Sequence, residues 1–293
     1  LKMSASMLKF FRYISIFLIS RYPFVNVVTL ALLLGERAER EKEPPLSPNL
    51  IYGHMVMMVV MGCMMTFRLR RDQAATVFAG QMLYLAYTFF TVDAMKYNDW
   101  LRIRMSSRMV GVAGIFLLFG FLAGKKDSRN LQLKRLSEIT IGVYILAYCY
   151  SIVNSPEDRK SFIDLIYGGQ PMLYVIVTAL MTCCLCHLGG FFIFDISLVL
   201  AITLSIMTLC IDCRVQYWTR KRGIDYWNQM RLIMDNVCVI TGQVMVLTVF
   251  KRKTYTEEPP TEHGEDEGLP PMDAGEDTPG TLNDEDDDHE HKD

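Results

Sequence analysis

The stretch "PMLYVIVTALMTCCLCHLGGFFIFDISLVLAITLSIMTLCID", residues 171–212, decides the fold. Its only acids are Asp195 and Asp212, and it holds no lysine or arginine. A bilayer core of roughly 30 Å is crossed by about 17–25 helical residues, so this run is long enough to cross twice. "HLGG" (187–190) is the one stretch in it suited to a turn, which gives a tight helical hairpin with spans at 171–188 and 191–212. In lipid each span must satisfy its own backbone hydrogen bonds, which requires helix.

Six further apolar runs occupy residues 13–34, 50–67, 74–92, 109–124, 136–153 and 232–250. The expected architecture is therefore all-α: a polytopic membrane protein with about eight transmembrane helices over residues 13–250. A short basic N-terminus, residues 1–12, precedes the bundle, and a basic flank with an acidic tail, 251–293, follows it. The first run is read as a retained span, because Arg21-Tyr22-Pro23 interrupts it and no small-x-small cleavage site follows.

The formal net charge of −2 describes neither part of the chain. Residues 257–293 hold 16 of the 32 acids and one of the 30 bases, which leaves 16 acids and 29 bases for residues 1–256. The acidic segment has too little apolar surface to offset its chain entropy and is expected to be disordered. Lysine and arginine divide equally between the two faces of an eight-span bundle, 14 to each, so the positive-inside rule gives no orientation. "KRK" (251–253), as a stop-transfer flank, and the acidic tail, as a partner surface, place both termini in the cytosol.

The connection "YWTRKRGIDYWNQM", residues 217–230, carries Trp218, Trp227 and Asn228, and Trp100 falls in the connection before the fourth span. All three tryptophans then share the face opposite the termini, where amphipathic rings favour the headgroup level. Asp212 and Asp235 bracket the loop and are expected to pair with its own bases, Arg214, Arg220, Lys221, Arg222 and Arg231. Arg104 and Arg108 sit in the same kind of interfacial position. No soluble reading module surrounds these bases, so no nucleic acid is expected as a partner.

"YWNQM" (226–230) resembles a block of the transmembrane protein 101 family, and other blocks follow that family's order. They are "RYPF" (21–24), "ERAE" (36–39), "DWLRIRMSSR" (99–108), "SPEDR" (155–159), "GG" (168–169), "ID" (211–212) and "YW" (217–218). The resemblance implies a multi-pass membrane protein with a link to activation of NF-κB signalling and no established enzymatic activity. It brings no catalytic or binding residues with it. The acidic tail and the cysteine cluster at 183–186 depart from the family pattern.

No constellation for catalysis, cofactor binding or a metal is read. "CCLCH" (183–187) spreads its ligands around most of a helix circumference, whereas structural zinc wants four converging ligands. "CIDC" (210–213) has redox spacing without the context that redox chemistry uses. Ionisable residues inside spans point to function by default, but here they fall near span ends. Arg21 alone lies deep, and its long stem can snorkel to the interface. The expected function is a non-enzymatic membrane scaffold or signalling modulator, with the lipid bilayer and cytosolic proteins as partners. The alternative is a small-solute transporter or channel using polar residues such as Gln81 and Asn236.

Overall fold

The computed structural model describes residues 5–39, 47–91, 99–124 and 130–256, the side chains of 5 and 250–256 excepted. The acidic segment 257–293 lies outside the described residues. The described chain is helical throughout: α1 (Ala5–Glu39), α2 (Pro48–Thr66), α3 (Arg71–Thr91), α4 (Asp99–Ala123), α5 (Leu131–Asn154), α6 (Pro156–Ile163), α7 (Gly169–Gly189), α8 (Ile193–Met207) and α9 (Tyr226–Thr256). Two π-helical turns, Thr208–Asp212 and Tyr217–Lys221, lie between α8 and α9.

The expectation of eight spans is corrected: among the described residues, seven helices are long and apolar enough to cross a membrane. The helix that falls short is α3, the run read at 74–92. Its 21 residues are enough to cross, but Asp72, Gln73, Gln81 and several threonines and small residues dilute its hydropathy. It still packs into the bundle, burying Ala75, Phe78, Met82 and Phe89, and its contact with α4 is the most extensive between any two helices.

The run at 109–124 belongs to a longer helix. Its helix, α4, begins ten residues earlier at Asp99 and absorbs the segment taken for a loop. Hydropathy cut the span at Arg108 because charge outweighs the local helical pattern. Buried residues nonetheless run from Leu101 to Phe121, and 89% of the apolar window is buried, more than in any other candidate span. This makes α4 the central helix, against which α3, α5 and α9 pack.

The hairpin turn falls where the sequence placed it. α7 ends at Gly189, and Gly190 takes a left-handed backbone (φ 77°) while its amide donates to the carbonyl of Cys186 (2.8 Å). Only glycine adopts that conformation without a Cβ penalty. Ser155 sets up α6 by accepting from the Asp158 amide (3.1 Å) with Pro156 in the first turn.

The start of α9 is capped from the far end of the sequence. The carboxylate of Glu36, on α1, accepts from the amides of Tyr226 and Trp227, both at 3.0 Å. It supplies what a local cap would supply and adds negative charge at a helix N-terminus. Glu36→Ala is expected to lower stability by about 1 kcal/mol, read as a lower melting temperature of the purified protein; no change would show that the cap contributes nothing.

Candidate functional site: a buried charge network

Asp212 is the centre of the site. It ends the first π-helical turn, whose wider ring closes through the Cys213 amide on the Thr208 carbonyl (2.9 Å). Such turns recur at functional positions because they re-aim a side chain. The Asp212 side chain is fully buried and all its acceptor capacity faces donors. Its Oδ1 accepts from Arg104 Nη2 (2.5 Å) and Arg108 Nη2 (2.9 Å). Its Oδ2 accepts from Arg108 Nη2 (2.8 Å) and Asn236 Nδ2 (2.7 Å). Its backbone carbonyl accepts from Gln229 Nε2 (2.5 Å).

Arg104 and Arg108 lie one turn apart on α4, so both guanidinium groups reach the same carboxylate. The Arg104 guanidinium stacks 4.1 Å from the Trp218 ring, and Trp100 lies 5.9 Å from that ring. Arg108 sits 5.3 Å from the Tyr148 ring and donates through Nε to Asn236 Oδ1 (3.1 Å), which the Tyr144 hydroxyl also approaches (3.4 Å). Arg108 is nine residues into α4, about 14 Å along the helix at 1.5 Å per residue. The network therefore joins α4, α5, α9 and the end of α8, well inside the bundle.

The network continues outward through Asp158 on α6, whose Oδ1 is 3.5 Å from Arg104 Nη1. Burial raises the Asp158 pKa, and the nearby Arg104 and Arg108 guanidinium groups only partly oppose the shift. The folded chain thus holds this proton more readily than the unfolded one. The group's contribution to stability is fully present below its unfolded pKa and is lost as pH rises through the raised folded value. The expected result is a melting temperature that rises as pH falls toward the ordinary carboxylate value of about 4, with that rise reduced in Asp158→Asn. An identical pH profile in the variant would contradict it.

α9 carries a second polar face. Trp227, Asn228, Arg231 and Asp235 fall within about 100° of the helix circumference, on the side away from Gln229 and Asn236. All four are buried. Tyr22 donates to Asp235 Oδ1, and Arg231 Nε lies 3.9 Å from Asp235 Oδ2. Arg231 is 5.2 Å from the Phe89 ring, which is 6.2 Å from the Trp227 ring.

These positions correct one expectation, the pairing of Asp212. Trp218 and Trp227 are packed into the bundle, both 0% exposed. Trp100 is half-buried. Arg104 and Arg108 are turned into the bundle, each 1% exposed. Asp212 pairs with α4, more than 100 residues away, rather than with its own loop. Asp235 does approach a base of that loop region, Arg231. Arg21 is exposed on the outer face of α1, 3.7 Å over the Phe17 ring. The physical reason for the inward turn of Trp218 is that the buried Arg104–Asp212 pair makes a polar interior, which its ring covers while its N–H finds an acceptor. Trp218 Nε1 donates to the Ile211 carbonyl (2.6 Å).

Sequence reasoning missed Tyr22, Tyr144, Tyr148 and Asp158 as members of these clusters. The arginine pair at i, i+4 ahead of an apolar run was the available signal. The loop itself is anchored on α6: Arg214 donates to the Ser161 carbonyl (2.9 Å) and Arg222 lies 3.5 Å from Glu157. Arg220 and Lys221 remain exposed along an open groove of about 650 Å³ lined also by Cys213 and Tyr217. All eight cysteines are free thiols, and among the described residues no three His, Cys, Asp or Glu side chains are placed to hold a metal ion.

The fold and the network define a class: a multi-pass helical membrane protein whose central helix carries buried, mutually paired charges. The chain belongs to the TMEM101 protein family, whose model matches residues 4–249. No solved structure matches it.

Proposed function

We propose that the protein acts without catalysis, as a membrane scaffold or signalling modulator. The observation that supports this reading is the saturation of Asp212: its two oxygens take hydrogen bonds from Arg104, Arg108 and Asn236. A carboxylate so engaged has no open lone pair to offer a substrate, and its bonds tie α4 to α9 and to the end of α8. The link to NF-κB signalling comes from the family resemblance, and the acidic segment 257–293 is the surface proposed for cytosolic partners. The test is an NF-κB reporter in cells at near-native expression. A response to both gain and loss of the protein is expected, and none in either would remove the signalling claim. Tags at the two ends, probed with only the plasma membrane permeabilised, test whether both termini are cytosolic.

A second reading, a small-solute transporter or channel, is favoured by the buried polar groups of α9 that have no hydrogen-bond partner, Asn228 and Arg231 among them. Solute flux in liposomes that is lost in Asn236→Leu or Gln81→Leu would support it; no flux for the wild type would sink it.

A further inference from the structure

The second polar face of α9 is rich in donors that nothing satisfies. Nε, Nη1 and Nη2 of Arg231, Nε1 of Trp227 and Nδ2 of Asn228 are all buried without a hydrogen-bond partner among the described residues. The unpartnered acceptors on the same face are two, Asn228 Oδ1 and Asp235 Oδ2. Arg231 is 1% exposed and Trp227 and Asn228 are 0% exposed, so bulk water does not solvate these groups. An unsatisfied buried donor costs free energy, more so when it is charged, and such groups in native proteins are usually met by water or an ion.

We propose that this cluster binds a small inorganic anion of halide size, held by Arg231 with Trp227 and Asn228 as flanking donors. Donor excess favours an acceptor with no hydrogens of its own over a water molecule, which brings two donors with it. Asp235 approaches only the Nε edge of the guanidinium, at 3.9 Å, and is itself engaged by Tyr22. Nη1 and Nη2 have no hydrogen-bond partner among the described residues and are left to a second negative charge. Burial argues against a lipid phosphate, whose acyl chains would need a path to residues that are 0–1% exposed. The site is independent of both readings of function, since a bound halide could serve as a structural ion or as a transported one.

Trp227 provides an internal reporter, because heavy halides quench an indole they touch. Purified protein in gluconate is titrated with bromide at constant ionic strength while tryptophan emission is followed. The expected result is a saturable quenching component, with its half-saturation raised by about tenfold or more in Arg231→Gln. Should that variant fail to fold, the wild type alone decides: replacing gluconate with chloride is expected to raise its melting temperature with a saturating dependence. Quenching that is only linear, together with an unchanged melting temperature, would mean that water fills the site and overturn the proposal. A saturable component that survives in folded Arg231→Gln would also overturn it, by placing the anion elsewhere. Neither readout depends on the NF-κB reporter or on flux.

Discussion

Asp212→Asn is expected to be the most damaging conservative substitution in the bundle. The change removes the one carboxylate that both Arg104 and Arg108 bond to, at 2.5–2.9 Å, and leaves two buried guanidinium groups facing an amide. Asparagine also turns one acceptor into a donor that points at existing donors, Asn236 Nδ2 among them. Removing one partner of a buried ion pair costs about 3–5 kcal/mol, since the remaining charge is left without compensation. Asp158 cannot take over, because it reaches only Arg104, at 3.5 Å. The measurements are the melting temperature of the purified variant and its steady-state level in membranes. A variant as stable as the wild type would show that the pairing contributes nothing net.

Gly242→Ala is expected to be nearly as disruptive for a steric reason. A Cβ at this position would lie 2.5 Å from both Cδ1 and Cγ2 of Ile115 and 2.8 Å from its Cγ1, far inside van der Waals contact. Ile115 is 0% exposed at the middle of α4, so it has nowhere to swing. The helices α4 and α9 would have to separate, which pulls Asn236 away from Asp212 and Arg108. Overpacking of this kind costs about 1–3 kcal/mol. Ile115→Ala alone should also destabilise, by leaving a cavity. The double variant should be more stable than the sum of the two single losses, because the added methyl fills part of the space that the isoleucine vacates. Simple additivity would show that the two residues do not meet.

The membrane class, the α7–α8 hairpin and the family were legible in the sequence, because each rests on a local signal. Twenty apolar residues in a row, or a glycine pair between two runs, need no partner to be read. The network was not legible, for two physical reasons. Hydropathy treats Arg104 and Arg108 as the end of a span, although a helix carries such residues inward when an acid waits on another helix. The acid, Asp212, is over 100 residues away, and the π-helical turn that re-aims it leaves no hydropathy signature. The inward packing of Trp218 was illegible by the same logic, since it shows only in Arg104 stacked on its ring at 4.1 Å. α3 was overread because its buried alanines and aromatics suit a helix packed on α4, while no membrane-length window in it is as apolar as those of the other long helices.

The central claim is that Asp212 and the α4 arginines are one buried unit, and a double-mutant cycle on Asp212→Leu and Arg108→Met tests it most directly. Each single change leaves the buried charges unbalanced. The double change removes one charge of each sign and leaves Arg104 beside Asp158. The account predicts that the double variant melts at a higher temperature than Asp212→Leu alone, with a coupling free energy of at least about 1 kcal/mol between the two sites. Losses that add, with a double variant less stable than either single one, would contradict it.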